Sequence, residues 1–193
     1  LNLGGGFGIA YTPGQADDAP DIEVLAAQLA DIVAATCAEV GIELPKIAFE
    51  PGRSVIGQAG VTLYTVGTTK SVQLIDSDAA GDPLDLGFES RLYVSVDGGM
   101  SDNARPALYG SDYHARLANR ASSAEPQLVR VVGKHCESGD IVVPREVLPS
   151  DVAPGDLLAV AATGAYCWSL SGNYNYVPRP AVVAVRNGEA HVI

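Results

Sequence analysis

The sequence predicts an α/β unit over residues 1–56 followed by an all-β domain, a β-sandwich or β-barrel, over residues 57–193. Three observations predict it. An apolar run ends on consecutive glycines in "LNLGGGFG"; an amphipathic stretch follows between a proline–aspartate start and a glycine stop; and beyond Gly57 the chain breaks into short β-rich runs parted by turn residues.

Leu1 to Leu3 read as the end of a buried strand, and Gly4, Gly5, Gly6 and Gly8 as a turn whose backbone can approach a ligand without Cβ obstruction. In "DIEVLAAQLADIVAATCAEVG", Ile22, Leu25, Leu29, Ile32, Val33, Cys37 and Val40 recur near helical spacing, with Pro20 and Asp21 before the first turn and Gly41 after the last. The stretch "PKIAFEPGR" predicts a short strand from Lys46 to Phe49 that stops at Glu50 and Pro51. Strand, glycine loop, helix and strand make a βαβ unit with parallel strands, and ligands of such units bind at the strands' carboxyl ends, where "GGGFG" and "EPGR" both fall. The runs "VTLYTVGTT", "RLYVSVDGG", "LVRVVGKHC", "DIVVP", "DLLAVAATGAY" and "PAVVAV" predict the strands of the β-domain, with no second amphipathic helix of comparable length. The acidic insert "DSDAAGDPLDLGFE" reads as a solvated loop.

With 193 residues and a 47% hydrophobic share, the chain can bury a sizeable core. Its 12 Lys and Arg against 23 Asp and Glu give a formal charge of -11, which repels phosphate backbones and anionic surfaces and argues against nucleic-acid and membrane partners. Three cysteines without CxxC spacing point away from a disulfide scaffold or a zinc site, and a cytoplasmic setting is expected. No apolar run reaches the roughly 18 residues of a membrane-spanning helix.

Several segments could carry chemistry. A glycine triplet between strand and helix suits either a phosphate or a tight turn, and it matches neither a GxGxxG fingerprint nor a P-loop. Glu50 and Arg53 form either an ion pair at a strand end or a carboxylate and guanidinium facing a ligand. In "CESGD", Cys136, Glu137 and Asp140 stand in a polar turn near Lys134 and His135. The turn-rich "DGGMSDNARPALYG" offers Arg105 and Tyr109 as anion binders, while "GAYCWSLSGNYNY" gathers Tyr166, Trp168, Tyr174 and Tyr176 as core, interface or cofactor wall.

In this order, "GGGFG", "EPGR", "DGGMSDNARPALYG", "CESGD" and "GAYCWSLSGNYN" resemble the carboxyl-terminal half of the diaminopimelate decarboxylase family, fold-type III pyridoxal-phosphate enzymes alongside ornithine decarboxylase. The resemblance implies a (β/α)8 TIM barrel followed by a β-domain, so that residues 1–56 would be the last strands and helix of an incomplete barrel. A whole barrel takes roughly 250 residues; about 200 are expected to be missing, among them the lysine that binds the cofactor covalently. None of Lys46, Lys70 or Lys134 stands in that lysine's motif, and the segment alone is expected to be inactive. The tail "NGEAHVI" ends on a strand where the family leads one to expect a closing helix.

Residue by residue, the resemblance implies that Gly4, Gly5 and Gly6 cradle the phosphate of pyridoxal 5'-phosphate, with Gly52, Arg53 and Tyr166 close by, and that Glu50 keeps the pyridine nitrogen protonated. Arg53, Arg105 and Tyr109, with Tyr166 beside them, would hold the far carboxylate of the amino-acid substrate, and Glu137 its far amino group. Cys136 would be the acid that returns a proton after carbon dioxide leaves, giving L-lysine from meso-diaminopimelate. In the family Cys136 and Glu137 would reach the site from the partner of a homodimer. Two further readings stay open: a non-catalytic homologue that keeps the fold for binding or dimerisation, and a related decarboxylase acting on another diamino acid.

Overall fold

The structure, a computed structural model, describes residues 1–74 and 87–193. Most of the acidic insert therefore lies outside the described residues.

The opening unit forms as its sequence predicts. Helix α1 spans Ile22–Val40; the Asp21 carboxylate accepts from the backbone N–H of Glu23 at 2.9 Å and of Val24 at 3.2 Å, and Gly41, at φ 71°, ends it in the left-handed region. The flanking segments run parallel through a single bridge between Asn2 and Ala48, extended by Leu3 N–H to the Ala48 carbonyl at 2.9 Å and Ala48 N–H to the Leu1 carbonyl at 2.9 Å. The expected strand over Lys46–Phe49 is thus reduced to one bridge. Of the apolar positions of α1 only Val33 and Cys37 are buried; Ile22, Ile32 and Val40 stay exposed, as do Ile42 and Leu44 after it.

A five-residue helix α2, Gly52–Ile56, then leads into the sheet. The strands are β1 (Val61–Gln73), β2 (Ser90–Val96), β3 (Ala115–Leu117), β4 (Pro126–Val132), β5 (Ile141–Pro149) and β6 (Leu157–Ala161), in the order β3-β6-β1-β2-β4-β5. All pairs are antiparallel except β2 with β4, so the sheet is mixed. β1 serves two partners: Val61–Thr65 pair with β6, and after Val66 an irregularity in register lets Thr69–Gln73 follow β2. That bend curls the sheet until its ends meet. The Glu146 carboxylate on β5 accepts from Ala115 N–H on β3 at 2.9 Å and stands 2.7 Å from His114 Nδ1. The result is nearly barrel-shaped, which decides between the two architectures the sequence allowed.

Alternate residues of each strand fill the interior: Tyr64 and Val66, Val94 and Val96, Val129 and Val131, Leu158 and Val160, with Tyr113, Leu148 and Cys167 among them. At roughly 1.5–3 kcal/mol for each fully buried aliphatic side chain, this core is the main source of stability. A hairpin of β7 (Val183–Arg186) and β8 (Glu189–Val192) forms a separate two-stranded ribbon, exposed along its length. The segment "DGGMSDNARPALYG" is more ordered than a turn-rich loop: it carries helix α3, Arg105–Tyr109, with Pro106 in its first turn and Gly110 at φ 60° as its stop.

Candidate functional site

The first cluster starts at the glycine loop. Glu50 N–H donates to the Gly4 carbonyl at 2.7 Å, so the two strand ends bring the loop and Glu50 together. Asn2 ties them a second time, donating from Nδ2 to Glu50 Oε1 at 2.6 Å and accepting from Gly4 N–H at 2.8 Å. Gly4 and Gly6 take φ of 77° and 85° with open space on the side where a Cβ would stand, while a Cβ at Gly5 would collide with the Glu50 carbonyl. Among the described residues the N–H groups of Gly5 and Gly6 find no acceptor in the chain. Arg53 holds the loop from the other side, donating from Nε to the Phe7 carbonyl at 3.2 Å and from Nη2 to the Gly6 carbonyl at 3.4 Å.

Tyr166 comes to this loop from the far end of the sheet. The segment after β6 crosses the turn that follows α2 backbone to backbone, with Gly164 N–H donating to the Gly57 carbonyl at 3.0 Å and Thr163 N–H to the Gly60 carbonyl at 3.0 Å. Two residues on, Tyr166 sits at φ 70°, a left-handed conformation that costs a bulky side chain about 1–2 kcal/mol. Its hydroxyl lies 3.9 Å from where a Gly52 Cβ would be. Its ring covers the Arg105 guanidinium, whose Cζ stands 5.4 Å from the Tyr166 ring centre, 5.5 Å from that of Tyr109 and 5.8 Å from that of Tyr11. Arg105 Nε donates to the Tyr113 hydroxyl at 3.1 Å, and Tyr113 leans on Cys167 Sγ at 3.4 Å. Burial works against the charge of Arg105, but the Tyr113 and Tyr11 hydroxyls outweigh it and move its pKa up.

Gly4, Gly5, Gly6, Glu50 and Arg53 are therefore held in one group and Tyr166, Arg105 and Tyr109 in another, the two approaching each other where the Tyr166 hydroxyl faces Gly52. Cys136 and Glu137 are in neither. They occupy an exposed turn after β4, and among the described residues no hydrogen bond, ion pair or ring contact links either to the first cluster. Glu137 Oε1 instead accepts from the Tyr174 hydroxyl, and this bond raises the Tyr174 pKa.

A buried carboxylate joins the two frames. Asp140 accepts from Met100 N–H at 2.6 Å and from His135 N–H at 2.7 Å, tying the loop before Arg105 to the turn that bears Cys136. Asp102, whose pKa burial pushes up, takes the Tyr64 hydroxyl and Gly99 N–H within the same loop. Sequence reasoning left Asn2, Tyr11 and Tyr113 unassigned. Asn2 carried a signal, a polar residue inside an apolar strand end. Tyr11 carried none, since it meets Arg105 from 94 positions away.

Glycine N–H groups without an acceptor, a carboxylate tied beside them, and a phenol stacked on a guanidinium are groups that could hold an anion and, next to it, a ring nitrogen. The family model for the C-terminal sheet domain of pyridoxal-dependent decarboxylases matches residues 53–164, and the chain belongs to that family. Within it the chain matches the carboxyl-terminal part of diaminopimelate decarboxylases. It is 53% identical over 193 residues to the enzyme of Mycobacterium tuberculosis and 47% identical over 194 residues to that of Bacillus subtilis, covering 100% of this chain and 40% of each relative. Diaminopimelate decarboxylase from M. jannaschii, solved with L-lysine, superimposes with a TM-score of 0.79 at 30% identity, over 99% of this chain and 39% of that one. The chain thus spans about two fifths of the length of the relatives it matches. No helix among the described residues is long and apolar enough to cross a membrane, and none of their His, Cys, Asp and Glu side chains form a metal-binding group.

Proposed function

We propose that this chain is the carboxyl-terminal part of a pyridoxal-phosphate enzyme that decarboxylates meso-2,6-diaminopimelate to L-lysine. The observation that carries the reading is that the glycine cradle and Glu50 meet at the carboxyl ends of the two parallel strand segments, while Tyr166, its hydroxyl toward Gly52 and its ring over Arg105, brings the sheet domain beside them. In this reading residues 1–56 close a TIM barrel whose other strands lie outside the sequence, which accounts for the exposed apolar positions Ile22, Ile32, Val40, Ile42 and Leu44. Residues 57–193 are the sheet domain that presents the remaining site residues.

Pyridoxal phosphate, when bound, supplies the electron sink that lets carbon dioxide leave. Gly5 and Gly6 would bind its phosphate through their backbone N–H groups, with Gly4, whose N–H is taken by Asn2, turning the loop toward it and Gly52 and the Tyr166 hydroxyl beside them. Glu50, oriented by Asn2, keeps a proton on the ring nitrogen. Arg53 shapes the loop through the Gly6 and Phe7 carbonyls. Arg105 takes the far carboxylate of the substrate, with Arg53, Tyr109 and Tyr166 nearby. Its Nε and Nη2 are held by hydroxyls, which fixes the plane of the guanidinium and leaves Nη1 for the ligand. Glu137 takes the far ammonium, and Cys136 returns a proton from Sγ to the carbon that lost carbon dioxide.

Among the described residues Cys136 and Glu137 make no contact with the first cluster of their own chain. A homodimer in which Cys136 and Glu137 serve the partner's cofactor site fits this. The test is turnover by the complete cytoplasmic enzyme: release of carbon dioxide and L-lysine from meso-diaminopimelate supports the reading. Turnover of ornithine or lysine instead points to a related decarboxylase, and no turnover with bound cofactor to a non-catalytic homologue.

A further inference from the structure

We infer that Tyr174 is a positioning residue for Glu137, fixing the carboxylate that selects a substrate carrying a second amino group. The inference rests on the preceding reading, in which Glu137 meets the far ammonium.

Glu137 stands in an exposed turn, and among the described residues its side chain has one partner, the Tyr174 hydroxyl, which donates to Oε1. Oε2 is left to accept from an ammonium. A glutamate on an exposed turn otherwise samples many rotamers, and ordering it on binding would weaken affinity. The phenol removes most of that freedom beforehand.

Tyr174 can do so because it is itself supported. Its ring leans on the buried His135 ring, centres 5.3 Å apart at 52°. His135 Nε2 lies 2.9 Å from Ser101 Oγ and its Nδ1 3.4 Å from Asn175 Nδ2, while its backbone N–H is held by Asp140. Immediately after the tyrosine the backbone turns through two left-handed residues, Asn175 at φ 53° and Tyr176 at φ 61°, and Asn173 Nδ2 bonds the Val177 carbonyl at 3.1 Å across that turn. Two such residues in succession are costly. They present the phenol to Glu137 rather than to the core.

The experiment compares Tyr174→Phe with the wild-type complete enzyme. The substitution removes one oxygen from a partly exposed ring, so folding is retained. The expected result is a KM for meso-diaminopimelate raised about fivefold at unchanged kcat, the scale of the net contribution of one ordinary hydrogen bond. The inhibition constant of 2-aminopimelate, which keeps both carboxylates and lacks the second amino group, stays at its wild-type value. Added to Glu137→Gln, the substitution has no further effect. An equal loss for both ligands means a general structural role and overturns the inference, as does an unchanged KM. A wild-type enzyme that ignores meso-diaminopimelate overturns the functional reading itself, and this inference with it.

Discussion

Gly164→Ala tests how the sheet domain delivers Tyr166 to the glycine loop. At this crossing the two backbones touch: a Cβ on Gly164 would run into the Ile56 carbonyl oxygen and the Gly60 nitrogen. Both are main-chain atoms and cannot swing aside like a flexible side chain. Forcing a methyl into a packed contact costs about 1–3 kcal/mol. The two backbone hydrogen bonds at the crossing, Gly164 to Gly57 and Thr163 to Gly60, would stretch, at about 1 kcal/mol each. Against this, alanine restricts the unfolded chain and returns about 0.4–1 kcal/mol. The net is a loss of about 3 kcal/mol. At ~2–4 °C per kcal/mol for domains of this size, calorimetry of the complete enzyme should show the sheet domain melting about 6–12 °C lower. Affinity for pyridoxal phosphate should fall as well, because Tyr166 is displaced. Gly14→Ala, where a Cβ meets nothing within 4 Å, is the control and should leave the melt in place. A Gly164→Ala melt within about a degree of wild type would refute the close crossing.

Two further outcomes follow from the same geometry. Asp156 accepts from Arg120 Nε and Nη2, both at 2.8 Å, and from Ala153 N–H at 2.9 Å, and the Arg120 bonds hold its carboxyl well below the usual range. A pKa lower in the folded than in the unfolded chain adds stability that is complete above about pH 4 and lost as pH falls toward the folded value; Asp156→Asn should therefore melt lower at pH 7 and lose much of the decline seen on acidification, and an unchanged acid limb would count against the clamp. Glu50→Gln keeps the bond from Asn2 and removes the negative charge, so kcat should fall about a hundredfold with little change in pyridoxal-phosphate affinity, whereas wild-type kcat would remove Glu50 from the mechanism.

The parts legible in the sequence are those set by neighbours in the chain. Asp21 and Gly41 bounded α1 correctly because caps act within a turn of the helix they end. The parallel strand segments brought Glu50 to the glycines, as a βαβ unit requires. Helix α3 was missed because five residues are too few to show a period, although Pro106 and Gly110 bracket it with the usual start and stop. The sharing of β1 between β6 and β2 left no trace, since an irregularity near Val66 is a tertiary response to curling the sheet. The aromatic cage around Arg105 was legible only in part: Tyr109 stands four positions along the same short helix and the resemblance brought Tyr166, whereas Tyr11 reaches it only through the fold.

The loop leading to Arg105 and the turn bearing Cys136 and Glu137 are tied together through Asp140. Its carboxylate holds Met100 N–H with one oxygen and His135 N–H with the other, while Lys134 N–H donates to the Gly98 carbonyl at 3.0 Å. The loop leading to Arg105 and the turn bearing Cys136 and Glu137 therefore move as one piece. Rigidity of that kind would let Glu137 arrive already oriented at whichever glycine loop it serves. In the proposed homodimer the Asp140 clamp would set the angle at which one subunit offers Glu137 to the other.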